Sequence, residues 1–157
     1  GFDVNIMYYD IYRLNEEREK ALDIVYAPLT ELLQKADIIS LHCPLTPETK
    51  HIINADSISL MKKGAIIINT ARGGLIDETA LISALESGHI KAAGLDVFEK
   101  EPPEKTNPLL SFNNVTVSPH VGGLTYEAFK SMMVEAMNNI KLFEEGKSEL
   151  LENKRIV

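Results

Sequence analysis

The alternation of apolar, strand-like runs with helical patterns most limits how this chain can fold. The strand-like runs are rich in Ile, Val and Leu and lack strict polar alternation, which predicts strands buried on both faces. They occupy residues 4–9, 37–43, 65–70, 92–98 and 115–118. Because helical patterns fill the intervals, the order predicts parallel β-α-β construction and an α/β fold.

Capping residues predict where several helices begin and end. Thr30 and Asp77 can each accept a backbone N–H at a helix start, and Gly64 and Gly88 suit the left-handed residue that follows a helix.

The last helix is predicted to run from Thr125 to near Gly146, with apolar residues at three-to-four spacing. This stripe predicts packing on the sheet, and a groove for a partner is the alternative. Its members are Phe129, Met132, Met133, Ala136, Met137, Ile140 and Phe143.

Composition narrows the class of protein. The chain has 157 residues, 45% hydrophobic and 25% charged, which is typical of one soluble globular domain. Its net charge of −7 disfavours nucleic acid and anionic membranes as partners. No apolar run is long enough for a membrane span. The single cysteine, Cys43, excludes an internal disulfide and agrees with a reducing, cytoplasmic location.

Polar residues follow each predicted strand. In an open parallel sheet, ligands gather at the carboxyl ends of the strands, so these residues are expected to share one rim. They are Asp10, Cys43 with Pro44, Thr70 with Ala71 and Arg72, Asp96, and Pro119 with His120.

Several blocks of sequence resemble a known family. The blocks are "LHCPLTPETKHIIN", "NTARGGLIDETALISALESGHIKAAGLDVFEKEPP" and "NVTVSPHVGG". In order and spacing they are similar to the D-isomer-specific 2-hydroxyacid dehydrogenases. The resemblance implies a Rossmann-like, doubly wound parallel sheet and an NAD-dependent enzyme that interconverts a small D-2-hydroxy acid and its 2-oxo acid.

Arg72 is the expected substrate anchor. Its planar guanidinium can bind a carboxylate through two parallel bonds and polarise the neighbouring carbonyl. Gly73 and Gly74 are expected to let the backbone turn sharply into the next helix. The alternative is that Arg72 only pairs with an acid at that helix start, Asp77 or Glu78.

His120 and Glu101 are the expected acid-base pair. An imidazole that titrates near neutrality can give a proton to a carbonyl oxygen, or take it back. The resemblance implies that the glutamate before Pro102 hydrogen-bonds this histidine and fixes the nitrogen that faces the substrate. Glu99 is a rival for that role but lacks the following proline.

The cofactor is expected to be NAD. An acid at the end of a dinucleotide-fold strand, here Asp10, binds the ribose hydroxyls and repels the extra phosphate of NADP, although Arg13 could accept that phosphate. The resemblance implies that Asp96 orients the nicotinamide carboxamide. It assigns further cofactor contacts to Cys43, Pro44, Thr49, Thr70, Ala71, Arg72, His120, Gly122 and Gly123.

No metal site is expected. His42 and Cys43 are neighbours on a predicted strand and should point to opposite faces, so they form a poor metal pair. His51 and His89 are expected to be surface residues. Cys43 is not expected to be a nucleophile.

The chain departs from the family pattern in one respect. It contains no G-x-G-x-x-G, and its first strand corresponds to the family's second. We therefore expect a truncated fragment: a partial NAD-binding Rossmann domain over 1–146, with 147–157 returning towards an absent substrate domain. Alone it is expected to bind NADH weakly or not at all, and a homodimer is expected only at full length. The alternatives are an NAD-sensing corepressor of the C-terminal-binding-protein type and an inactive remnant.

Overall fold

A computed structural model describes residues 3–147. The chain divides into two compact units, Gly1–His120 and Val121–Val157. The predicted C-terminal segment, 147–157, lies outside the described residues apart from Lys147. The predicted domain boundary at residue 146 stays a prediction.

The first unit alternates strands and helices along the chain. The strands are β1 (Ile6–Tyr8), β2 (Ile24–Tyr26), β3 (Ile38–Leu41), β4 (Ala65–Asn69), β5 (Ile90–Leu95) and β6 (Val115–Val117). The helices are α1 (Glu16–Leu22), α2 (Leu29–Lys35), α3 (Ala55–Leu60) and α4 (Glu78–Glu86), with 3₁₀ turns at Gly73–Leu75 and Pro108–Leu110.

All strand pairing is parallel, which confirms the predicted Rossmann-like α/β class. Strand β2 was not predicted. The strands form two sheets, β1-β2 and β3-β4-β5-β6, and within residues 3–147 no ladder joins β1 to β3. Strands β1 and β3 are therefore edge strands, as expected for a sheet that lacks the central first strand of the family pattern.

The strands differ in how far their two faces are buried. Along β4, Ala65, Ile67 and Asn69 are buried, whereas Ile66 and Ile68 are half-buried. Along β3, Ile39 and Leu41 are buried, but the other face is exposed, as at Ile38. The prediction of strands buried on both faces is thus wrong for β3.

Most of the predicted helix ends are confirmed. Asp77 caps α4 by accepting from the backbone N–H groups of Thr79 and Ala80, and Gly88 follows the end of α4 with a left-handed φ of 69°. The prediction for Gly64 is wrong: α3 already ends at Leu60, and Gly64, with a φ of 91°, lies in the turn before β4.

The predicted Thr30 cap is wrong. Helix α2 begins two residues earlier than that cap requires, because the carbonyl of Pro28 already accepts from the N–H of Leu32.

The second unit contains helix α5 (Tyr126–Glu144), capped by Thr125 as predicted and followed by Gly146 with φ 71°. Its apolar stripe is exposed, from 48% for Met133 to 69% for Phe143. Packing of this stripe on the sheet stays a prediction. None of the helices within residues 3–147 combines the length and the apolar character needed to cross a bilayer.

Candidate active site

The turn after β4 presents Arg72. Asn69, only 1% exposed, ends the strand and ties the turn down: its Oδ1 accepts from the N–H of Ala71 at 3.1 Å, and its Nδ2 donates to the carbonyl of Arg72 at 2.9 Å. The Arg72 backbone is extended and its side chain is exposed, with Nη1 donating to the Ala71 carbonyl at 2.6 Å. Sequence analysis missed Asn69, although a polar residue closing a buried apolar strand is a signal for it.

Gly73 allows a close approach between two backbone segments. A β-carbon at this position would overlap the carbonyl group of Phe98 and lie 2.5 Å from the backbone nitrogen of Glu99. Gly73 has no left-handed φ, so the predicted role in a sharp turn is replaced by a steric one. The Arg72 turn therefore packs directly on the loop after β5.

Glu101 and His120 are hydrogen-bonded. His120 Nδ1 lies 2.7 Å from Glu101 Oε2, and Glu101 Oε1 accepts from the backbone N–H of Phe98 at 3.0 Å. The bond from His120, then that N–H, and also the charge of Arg72 hold the pKa of Glu101 below its ordinary value. The same three side chains therefore influence one another electrostatically at the rim of the sheet.

Replacing Glu101 by glutamine is expected to remove the charge of this pair and keep its shape. Since the pKa of Glu101 is lowered on folding, its ionised form stabilises the fold above the unfolded-state pKa of about 4.3, and this contribution is lost as pH falls through the folded-state value. For so exposed a pair we expect about 0.2–1 kcal/mol at neutral pH. Denaturant unfolding of both proteins should give curves that converge in acid; a constant difference would contradict the assignment.

Backbone bonds join the ends of three strands. The N–H of Asp96 donates to the carbonyl of Asn69 at 3.0 Å, and the N–H of His120 donates to the carbonyl of Asp96 at 2.9 Å. Asp96 itself is buried, and its carboxylate accepts from the hydroxyl of Ser118. His120 has a left-handed φ of 55°. The Arg72 turn and His120 are thus connected through the main chain of Asp96.

Glu99, the rival of Glu101, is engaged elsewhere. Its carboxylate pairs with the ring nitrogen Nε2 of His51, and its backbone N–H donates to Glu78 Oε1 at 2.7 Å. Asp77 caps α4, so both acids offered as alternative partners for Arg72 have other contacts. His51 is half-buried and paired with Glu99.

A cleft of about 660 Å³ opens beside the Arg72 turn. It is lined by His42, Cys43, Pro44, Leu45, Ala71 and Arg72. Both His42 and Cys43 lie just beyond β3, which ends at Leu41, and the prediction that they point to opposite faces stays a prediction. His42 and Leu45 were not predicted for this site.

Two other predicted contacts lie beside the cleft-lining segments. Thr49 shapes the loop after β3: its hydroxyl accepts from the N–H of Thr46 at 2.8 Å and donates to the carbonyl of Pro44 at 2.7 Å. Thr70 is exposed in the turn before Arg72.

The chemistry of Cys43 agrees with its predicted lack of nucleophilic character. Burial, followed by the negative charge of Asp10, raises the pKa of the Cys43 thiol, which lowers its thiolate fraction. Asp10 lies just beyond β1, exposed, with one carboxylate oxygen accepting from the N–H of Tyr12 at 2.8 Å.

Three further residues were singled out by the sequence. Gly122 and Gly123 belong to the second unit, and their cofactor contacts stay a prediction. His89 is half-buried, and its Nε2 lies 3.0 Å from the carbonyl oxygen of Ile58.

Comparison with known proteins gives consistent matches. The family described as D-isomer specific 2-hydroxyacid dehydrogenase, NAD binding domain, matches residues 1–122. A D-3-phosphoglycerate dehydrogenase of Methanocaldococcus jannaschii is 51% identical over 153 residues, which are 98% of this chain and 29% of that protein. A glyoxylate reductase of Korarchaeum cryptofilum is 43% identical over 93% of this chain and 44% of its own length.

A solved structure gives the same result. The D-lactate dehydrogenase of Aquifex aeolicus, complexed with NAD and lactic acid, superposes with a TM-score of 0.87 and 35% identity over 97% of this chain and 50% of that one. The chain therefore spans half or less of the length of these relatives.

Proposed function

The chain belongs to the D-isomer-specific 2-hydroxyacid dehydrogenases through their NAD-binding domain, and from this premise we propose that the complete protein interconverts a 2-oxo acid and its D-2-hydroxy acid. The observation that carries the proposal is the group at the carboxyl ends of the strands: His120 bonded through Nδ1 to Glu101, with Arg72 near enough for its charge to lower the pKa of Glu101. This reaction requires a group that binds the substrate carboxylate, such as a guanidinium, and a group that transfers a proton, such as an imidazole.

The residues present fit two ends of an NAD molecule. The exposed carboxylate of Asp10 has one oxygen engaged by Tyr12 and retains acceptor capacity for ribose hydroxyls. The cleft beside Cys43, Ala71 and Arg72 has room for a flat ring. When bound, NAD supplies or receives the hydride.

Arg72 is proposed to hold the substrate carboxylate. The turn that carries it is fixed by the buried Asn69, so the guanidinium starts from a defined position. Its remaining N–H groups can bind a carboxylate in the bidentate geometry and draw electron density from the neighbouring carbonyl.

His120 is proposed to move the proton at Nε2. Because Nδ1 faces the carboxylate of Glu101, the opposite nitrogen is the one that can meet a substrate oxygen. In reduction Nε2–H donates its proton to the carbonyl oxygen as C2 gains the hydride; in oxidation Nε2 takes the hydroxyl proton. The carboxylate of Glu101 stabilises the imidazolium form of His120, which donates the proton in reduction and is formed in oxidation.

The direct test is turnover by the complete gene product. NADH oxidation, followed by absorbance, should depend on an added 2-oxo acid such as glyoxylate, hydroxypyruvate or pyruvate, and the product should be the D isomer by chiral chromatography. No oxidation with any of a broad set of 2-oxo acids would refute the proposal.

Changing Arg72 to lysine should raise KM for the 2-oxo acid by about 10- to 100-fold, the effect of losing one charge-assisted hydrogen bond. The affinity for NADH should stay unchanged, because the variant keeps the positive charge. Arg18→Lys, an exposed arginine of α1, is the matched control and should have wild-type kinetics. An unchanged KM in R72K would remove Arg72 from substrate binding.

The names of the curated relatives, dehydrogenases and reductases, favour an enzyme over a corepressor or an inactive remnant. A homodimer and a cytoplasmic location stay predictions.

A further inference from the structure

An ion pair lies just beyond the acid at the end of β1. Arg13 donates from Nε to Glu19 Oε1 at 2.9 Å and from Nη2 to Glu19 Oε2 at 3.0 Å, a bidentate arrangement. Glu19, on α1, is buried and accepts a third bond from the hydroxyl of Tyr8 at 2.8 Å. The carboxylate therefore accepts three bonds, and two of the three guanidinium nitrogens donate to it.

Aromatic rings hold the same arginine from another side. The Arg13 guanidinium carbon lies 5.0 Å from the centre of the Tyr26 ring, within cation–π range. The hydroxyl of Tyr8 also accepts from the backbone N–H of Leu14 at 2.9 Å, which fixes the loop that carries Arg13. Arg13 is thus restrained by the bonds from its guanidinium to Glu19, by the contact with the ring of Tyr26, and by the fixed backbone of its loop.

Arg13 and Glu19 are both ionised, and their opposite charges compensate each other. Bonds from Arg13 and then Tyr8 lower the pKa of Glu19 to about 2, and the contact with Glu19 raises the pKa of Arg13 above its ordinary value. The positive charge of Arg13 is therefore compensated by Glu19, while Asp10, three residues before Arg13, keeps its negative charge exposed. A phosphate at this point would meet net negative potential.

We propose that Glu19 sets the preference for NAD over NADP, as a positioning residue that holds Arg13 away from the 2′ position of the adenosine ribose. The inference rests on one part of the proposed function, namely that the cofactor binds with its adenosine ribose at Asp10. Removing Asp10 alone should then admit NADP poorly, because the nearby guanidinium remains bound to Glu19. Removing both acids should release Arg13 to bind the 2′-phosphate.

A double-mutant cycle in the complete gene product tests this coupling. The dissociation constants of NAD and NADP are measured by calorimetry for wild type, Asp10→Ser, Glu19→Gln and the double variant. Glutamine keeps the size of Glu19 and can still accept from Tyr8. We expect the NADP/NAD affinity ratio of the double variant to exceed the product of the two single effects by about 10-fold or more, the effect of a new charge-assisted bond.

Two further variants distinguish the effect of freeing Arg13 from Glu19 from the effect of simply removing a negative charge. Glu17→Gln removes the same charge from the first turn of α1 at an exposed position, and it should leave the ratio near that of wild type. Arg13→Met should abolish the NADP affinity gained by the double variant, in which Glu19 no longer carries a charge.

Three results would each overturn the inference. The effects of the two single variants on the NADP/NAD affinity ratio could be additive, or Glu17→Gln could shift this ratio as much as Glu19→Gln does. The third is that the double variant keeps its NADP affinity after Arg13→Met. If Glu19→Gln fails to fold, Asp10→Ser still decides: a gain in the NADP/NAD affinity ratio of about 10-fold or more in this single variant would mean that Glu19 does not hold Arg13 away from the phosphate. All readouts are binding constants, so absence of turnover would refute the proposed function and leave this inference standing.

Discussion

Replacing His120 by asparagine is expected to lower kcat by about 10²–10⁴-fold, the contribution of a well-placed acid-base group. Substrate and cofactor affinities should change only a few-fold, because Arg72 and Asp10 remain. Asparagine is the appropriate replacement, since the backbone of His120 has a φ of 55° and asparagine tolerates this left-handed conformation better than most residues. Steady-state kinetics of the complete gene product measure the effect.

The control for this variant is His89→Asn, a half-buried histidine bonded to the carbonyl of Ile58. It should retain wild-type kcat. A His120→Asn enzyme whose kcat stays within a few-fold of wild type would show that proton transfer does not pass through this imidazole.

Gly73→Ala is expected to destabilise the fold by about 3 kcal/mol, the upper part of the range for overpacking, because the new methyl group meets backbone and not a movable side chain. The loop at Phe98 and the Arg72 turn must separate for the methyl group to fit. Any protein that folds should therefore also show a raised KM for the 2-oxo acid. Denaturant unfolding and steady-state kinetics measure the two effects.

Gly94→Ala is the matched control. A β-carbon at Gly94 would lie 3.9 Å from the Ile68 side chain, an ordinary contact, so stability should stay within about 1 kcal/mol of wild type. Equal behaviour of the two variants would mean that the close approach at Gly73 can relax at little cost.

Local signals in the sequence predicted much of the fold. Asp77 and Thr125 were identified as caps because a short acceptor side chain precedes an apolar periodic run. Strand β2 was missed because only Ile24–Tyr26 pair with β1, and so short a run follows α1 after a single residue, Asp23. The Thr30 cap failed since Pro28, with its fixed φ, already begins the helix.

Contacts between distant residues could not be predicted in this way. His51 meets Glu99 across 48 positions, and the sequence contains no local pattern that links them. The need for glycine at residue 73 depends likewise on where the loop at Phe98 passes. The pairing of Glu101 with His120, by contrast, was expected from the resemblance to a family, which carries non-local information.

The main-chain bonds from Asn69 to Asp96 and from Asp96 to His120 have an evolutionary consequence. The spacing between the Arg72 turn and His120 is set by peptide geometry, which substitutions at neighbouring side chains leave intact. Selection can therefore exchange neighbouring side chains, and with them the acid that is preferred, without moving the two proposed reacting groups apart.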